Sequence, residues 1–182
     1  MSKVLILFAD GFEEVEALTV LDACIRAGIK VTKCSIKEEK SVTSSHNVTL
    51  LCDVTISEVK DDYDLVFLPG GMPGAVNLAQ SWAVNELIIK QVQKGYVAAI
   101  CASPAVVLGP AGLLTGHEAT CFPGCENYYP DFHFSDEGVV ISGSIITGKS
   151  AGHAWPLGFA IVSTLEGEKK AEEVKKSIYY LS

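Results

Sequence analysis

The chain has 182 residues, 48% of them apolar and 20% charged, with 16 glycines; this composition suits a single globular domain, 1–182, and excludes a disordered or fibrous chain. Twenty-two acidic against 14 basic residues give a net charge of -8, which argues against nucleic acid as a partner because phosphate binding needs clustered Lys and Arg. The six cysteines are irregularly spaced, and Met1-Ser2-Lys3 runs into an apolar VLILFA too short for a membrane span and lacking a cleavage site, so a reducing cytoplasm, away from membranes, is the expected setting.

Strand-like and helix-like segments alternate from end to end, the pattern of an α/β domain with a mostly parallel central sheet. Val4 to Ala9 is a continuous apolar run, as expected of a strand covered on both faces. Val15, Leu18, Leu21 and Ile25 recur at helical spacing and Gly28 supplies a stop, which predicts a helix over Glu13 to Ala27 with that stripe inward. Ile29 to Ile36 reads as a strand, Val42 to Ile56 as a β-excursion at a sheet edge, and Leu65 to Leu68 as a short buried strand. The loop Pro69-Gly70-Gly71-Met72-Pro73-Gly74 follows, then a helical stretch from Ala75 to Lys94 with a break near Ser81-Trp82. Tyr96 to Ile100 is another buried strand, leading through Cys101 into a short helix that Gly109-Pro110 ends. Leu113 to Phe134 has weak periodicity, Val139 to Thr147 returns to strand character, and Ala154 to Leu165 and Lys169 to Leu181 read as helices.

Ligands of an open parallel sheet bind beyond the carboxyl ends of its strands, which selects the loops Asp10 to Glu16, Pro69 to Gly74, Cys101 to Pro104 and Gly148 to His153. At Ala99-Ile100-Cys101-Ala102-Ser103-Pro104 a buried strand passes straight into a helix with a cysteine at the junction and small residues beside it. That is the layout of a nucleophile elbow, and a thiol at a helix N-terminus is expected to be drawn toward thiolate by the dipole and free N–H groups. Glu16 interrupts the apolar stripe and is expected to be partly buried, hence protonated and able to donate to a thiolate. Gly70 and Gly71 permit close backbone approach and offer N–H groups for an oxyanion, as does Ala102; the Walker lysine and the spaced glycines of a dinucleotide loop are absent.

The remaining candidates have bland readings beside them. His117, Cys121 and Cys125 are spaced H-x3-C-x3-C without an evident fourth ligand, so no metal and no cofactor is expected. Cys121 is an auxiliary candidate that would resolve an oxidised Cys101 if it lay nearby, and His153 a substitute base at a strand rim; packing and a helix start are the ordinary roles for each. Trp82 and Trp155 read as packing or interface anchors.

Glu13-Glu14-Val15-Glu16, Arg26-Ala27-Gly28-Ile29-Lys30-Val31, Leu68-Pro69-Gly70-Gly71 with Gly74-Ala75 and Asn77-Leu78, and Ala98-Ala99-Ile100-Cys101-Ala102 together resemble the ThiJ/PfpI superfamily, in the branch of the Parkinson's-disease-linked protein deglycase. The resemblance spans nearly the whole chain. It implies a flavodoxin-like three-layer α/β sandwich, of the class I glutamine amidotransferase-like kind, that forms a homodimer. It also implies that Glu16 is a protonated glutamate, that Cys101 is the nucleophile and redox-sensitive cysteine, and that the Gly70-Gly71 backbone faces it. The activity implied is cofactor-independent conversion of methylglyoxal or glyoxal, or deglycation of early adducts; oxidative-stress sensing or a chaperone-like role is the alternative, and cysteine hydrolase or peptidase chemistry a third. Two stretches depart from the branch. Cys121-Phe122-Pro123 stands where a Thr-His-Pro step is usual, and Gly148-Lys149-Ser150-Ala151-Gly152 replaces a Ser-Arg-Gly-Pro-Gly stretch. A further branch with a Cys-His-Gly step is unmatched, because Ala102 follows the cysteine.

Overall fold

The apolar runs of the sequence become the inner strands of one sheet. The computed structural model describes residues 1–60 and 62–180. Strands β1 (Lys3–Phe8) and β2 (Lys30–Ser35) are followed by a small antiparallel hairpin, β3 (Ser41–Thr43) with β4 (Thr49–Leu51), and then by β5 (Val54–Thr55), β6 (Leu65–Leu68), β7 (Tyr96–Ile100), β8 (Val139–Ser142) and β9 (Ile145–Gly148). The main sheet has seven strands in the order β5-β2-β1-β6-β7-β9-β8, all pairs parallel except β8 with β9. The register pairs Leu68 with Ala99 and Ile100 with Gly148, which brings the carboxyl ends of β6, β7 and β9 to one edge. This is the α/β flavodoxin-like arrangement expected, with the Val42 to Ile56 excursion resolved into a separate hairpin and a two-residue edge strand.

Two apolar layers cover the sheet. On one face α1 (Glu14–Arg26), α4 (Ala154–Glu166) and α5 (Glu168–Ser177) pack over Val4, Ile6, Phe8, Phe67 and Ile100; on the other, α2 (Gly74–Gln80), α3 (Trp82–Gln91) and the 104–108 turn pack over Leu5, Leu7, Val66, Leu68 and Ala99. Strand residues therefore alternate between two buried faces, so each inner strand is apolar throughout. The helical stretch from Ala75 is interrupted where Ser81 leaves helical geometry and caps α3 by accepting from the Val84 N–H at 3.4 Å.

Two expectations are corrected. Of the α1 stripe, Val15, Leu18 and Ile25 face outward, 51%, 38% and 55% exposed, and Leu21 is half-buried against the core, while Glu16, Ala17, Val20, Ala23 and Cys24 face inward. The inward residues are small because α4 passes close: a Cβ on Gly158 would lie 2.9 Å from the Ala23 Cβ. After Cys101 the short helix expected is present as a five-residue π-helix, 104–108, with Gly109 as its C-cap. The last helix ends at Ser177, and Leu181 lies outside the described residues. Among the described residues no helix is long and apolar enough to cross a membrane.

Candidate active site

Cys101 occupies the step off β7 with φ +63°, a left-handed conformation that costs a side chain about 1 to 3 kcal/mol and persists only where its surroundings hold it. Two backbone bonds do so. The Cys101 N–H donates to the Gly148 carbonyl at 2.9 Å, and the Cys101 carbonyl accepts from the Phe122 N–H at 2.8 Å. Behind it, the buried Ser103 hydroxyl donates to the Pro69 carbonyl at 2.5 Å, tying the β7 loop to the β6 loop. Residue order along the chain gives no hint of this last bond; the small residue at a crowded turn was its only sequence signal.

Glu16 reaches the thiol from the first turn of α1. It is 1% exposed, its Oε2 accepts from the Gly70 N–H at 2.9 Å, and its carboxyl hydrogen-bonds the Cys101 side chain. Burial pushes the Glu16 carboxyl up to about 7, with the Glu13 charge adding to the rise and the bonds from Cys101 and Gly70 opposing it. Burial also pushes the Cys101 thiol up, as do the charge and the hydrogen bond of Glu16, while the N–H groups of Ala102 and Gly71 pull it down. The pair holds one proton between them in the neutral range, because two touching acids do not both ionise. The expectation of a thiolate set by a helix dipole is thus corrected: burial and Glu16 hold the Cys101 thiol up, and the Ala102 and Gly71 N–H groups are what pull it toward thiolate.

The two glycines do different work. The Gly70 N–H is committed to Glu16, so Gly71 and Ala102 supply the N–H groups directed at sulfur. Gly70 is glycine for space: a Cβ there would sit 2.6 Å from both the Cys101 Cβ and Glu16 Oε2. Gly71 has φ +91°, and a Cβ there would lie 2.4 Å from the Glu13 backbone nitrogen.

The other candidates are not brought to the thiol. The His153 Nδ1 pairs with the Ser150 hydroxyl at 2.9 Å and its ring packs against Gly138, so no described contact makes it a base for Cys101. Cys121 is buried, its Sγ directed at the Phe122 carbonyl, and it lines a separate recess with Phe132, Phe134 and Lys149. His117 turns its Nδ1–H to the Ser142 carbonyl at 2.7 Å, which separates it from Cys121 and Cys125 as a ligand set. Sequence reasoning missed a different cluster, in which His46 of the β3–β4 turn meets Glu14 at 2.9 Å and Glu13 at 3.7 Å. Cys125, weighed in the sequence only as a metal ligand, is half-buried on the 125–128 turn, and the Glu16 charge reaches it. Trp155 stacks on Phe159, whereas Trp82 is 73% exposed.

Residues 2–164 match the DJ-1/PfpI family. Over 178 residues the chain is 36% identical to Protein DJ-1 homolog B of Arabidopsis thaliana, covering 96% of this chain but 40% of that protein. It is 30% identical to the glutathione-independent glyoxalase DJR-1.2 of Caenorhabditis elegans, over 97% of this chain and 95% of the relative. Its fold superposes on oxidized Toxoplasma gondii DJ-1 with a TM-score of 0.96 at 32% identity, covering all of both chains. With the family matched along most of its length and the same fold reproduced end to end, the chain belongs to the DJ-1/PfpI family.

Proposed function

We propose that this protein is a cysteine-dependent, cofactor-independent glyoxalase that converts small reactive 2-oxoaldehydes such as methylglyoxal and glyoxal to hydroxy acids, with early glycation adducts as related substrates. The observation that carries the reading is the one-proton pair of Glu16 and Cys101 at the edge of the sheet, beside two N–H groups aimed at sulfur. The printed name of the Caenorhabditis elegans relative supports the same class of activity.

The chemistry follows from moving one proton. With the proton on Glu16, the Cys101 thiolate attacks the aldehyde carbon, and the C=O electron pair moves to oxygen as a carbon–sulfur bond forms. Glu16 gives its proton to that oxygen, leaving a carboxylate beside a hemithioacetal. The carboxylate then removes the C1 hydrogen as a proton to give an enediolate charged on the C2 oxygen, and returns it at C2 while the C1 hydroxyl proton passes to the C2 oxygen, leaving C1 as a thioester carbonyl. C1 is oxidised and C2 reduced, so the substrate is rearranged with no external electron acceptor. Water cleaves the resulting thioester, releasing the hydroxy acid and restoring the thiol. Gly71 and Ala102 N–H groups favour the negative charge on sulfur and its neighbour through the sequence. Phe122 holds no proton, so Glu16 carries every transfer and turnover is slow.

The outward Val15, Leu18 and Ile25 of α1 supply an apolar face suited to a homodimer, and the free thiols suit a reducing cytoplasm. The test of the activity is methylglyoxal loss and lactate formation by the wild type, Cys101→Ser and Glu16→Gln. Losses of about 100-fold or more are expected for each variant; equal rates in all three overturn the reading.

A further inference from the structure

Three thiols lie in or beside the rim that holds Cys101, and the backbone connects two of them tightly. The Cys101 carbonyl accepts from the Phe122 N–H at 2.8 Å, and the Phe122 carbonyl accepts from the Cys125 N–H at 2.9 Å. Residues 122–125 are therefore folded back on the nucleophile by two consecutive hydrogen bonds. Glu16 hydrogen-bonds Cys101, and its charge also reaches Cys125. Cys121, nearer in sequence to Cys101, is buried and turned into the separate recess. Cys125 is instead only half-buried, on a four-residue 3-10 turn whose neighbours Phe122, Pro123, Gly124 and Glu126 are exposed or nearly so.

We propose that Cys125 is the resolving thiol for Cys101: it captures the sulfenic acid formed when a peroxide oxidises the nucleophile, closing a disulfide within the chain. In the first step the Cys101 thiolate attacks one peroxide oxygen, a sulfur–oxygen bond forms and the oxygen–oxygen bond breaks. The leaving oxygen takes the proton of Glu16 and departs as water or an alcohol. Sulfur is oxidised and the peroxide reduced. Glu16, now a carboxylate beside Cys125, accepts the Cys125 proton. The new thiolate attacks the Cys101 sulfur, the sulfur–sulfur bond forms, and hydroxide leaves with that same proton as water. The sum is two thiols and hydrogen peroxide to a disulfide and two waters.

The closing movement falls on a segment suited to it. A disulfide needs its Cα atoms about 4.4 to 6.8 Å apart, and a short turn with exposed flanks opens at low cost compared with the sheet behind it. Cys101 has no such freedom, pinned at N–H and carbonyl. Burial and the charges of Glu126 and Glu16 raise the Cys125 thiol, so it stays protonated until the Glu16 carboxylate takes its proton in the resolving step. The consequence is protection: a sulfenic acid trapped as disulfide does not advance to the irreversible sulfinic acid.

The inference rests on Cys101 being the reactive thiol but not on aldehyde turnover. Reduced protein is treated with one and ten equivalents of hydrogen peroxide, alkylated, and digested without reduction. Cleavage after Glu118 and Glu126 separates Cys101 from the segment carrying Cys121 and Cys125, and fragmentation assigns the bonded partner. The wild type is expected to give a Cys101–Cys125 cross-link at monomer mobility on a denaturing gel. Cys125→Ser is expected to lose it and to accumulate at least about five times more Cys101 sulfinic acid, while Cys121→Ser keeps it. A cross-link to Cys121, or equal sulfinic acid in wild type and Cys125→Ser with no cross-link in either, overturns the proposal. The wild-type cross-link decides the matter even if a variant folds poorly. Methylglyoxal turnover by the wild type keeps the two readings apart: turnover without a cross-link removes only the resolving thiol, and a cross-link without turnover removes only the glyoxalase.

Discussion

At residues 69–71 and 101–103 backbone and side chains are locked to one another: Gly70 N–H to Glu16, Ser103 hydroxyl to the Pro69 carbonyl, Cys101 N–H to Gly148. At 122–128, a few ångströms away along the Phe122–Cys101 hydrogen bond, the chain is mostly exposed and held by short-range turn bonds such as Cys125 N–H to the Phe122 carbonyl. Both segments contain glycines in left-handed geometry and both carry a thiol. The difference teaches that a nucleophile is made by fixing the backbone around it, while a neighbouring thiol is left free to approach.

Glycine substitutions break the comparison most directly. Gly71→Ala drives a Cβ into backbone atoms of Glu13 and Gly11 at 2.4 and 2.5 Å and is expected to cost about 3 to 5 kcal/mol from overpacking and positive φ together. Gly124→Ala, with φ +94° and nothing within 4 Å, is expected to cost only about 1 to 2 kcal/mol. Denaturant titration of the two proteins measures both; similar costs would erase the distinction between the loops.

Glu16→Gln tests what the rigid side stores. The unfolded Glu16 ionises near 4.5 and the folded one near 7, so between those values the unfolded chain sheds a proton that the folded chain keeps. Stability from this group is full below about pH 4.5 and falls as pH rises to about 7, by on the order of 2 to 3 kcal/mol. The variant is expected to gain that amount over wild type at pH 8 and nothing at pH 4. Iodoacetamide labelling of Cys101 gives the companion reading: burial and Glu16 hold the wild-type thiol up, so the labelling rate at a given pH rises in the variant, which lacks the carboxylate.

Ser103→Ala leaves the Pro69 carbonyl without its donor and is expected to cost about 1 to 3 kcal/mol by thermal or chemical denaturation. Phe122→His is the mildest change. Phe122 is 43% exposed and contributes its backbone N–H, which histidine retains. Stability should stay within about 0.5 kcal/mol, while methylglyoxal turnover rises several-fold and acquires a limb near the ordinary imidazole pKa of about 6.5. An unchanged pH profile would show that an imidazole at 122 does not reach the reaction.

Most of the sheet was legible because strands covered on both faces are apolar at every position, as in Val4 to Phe8 and Leu65 to Leu68. The elbow at Cys101 was legible for a related reason: Ala99, Ala102 and Ser103 are what a crowded strand-to-turn junction admits. The orientation of α1 was not. Its larger apolar residues form a regular stripe, but close approach of α4 at Gly158 requires small residues inside, so the stripe with greater bulk faces out. Glu16 was expected to be buried as an intruder in that stripe, and it is buried because it lies on the opposite face. The division of labour between Gly70 and Gly71, and the approach of Cys125, depend on contacts 54 residues apart or on the return of the 122–125 segment. Local patterns carry no record of either.

The bonds that pin Cys101 come from Phe122 and Gly148, far later in the chain. During synthesis a nascent chain that has reached Ser103 already contains the thiol, Glu16 and both glycines, yet it lacks the two partners that hold the left-handed step. β9, the strand that pairs with β7 and carries Gly148, is made well after Ser103. The reactive geometry is therefore assembled only after β9 has been made, and a nascent chain that stops short of it carries an ordinary cysteine.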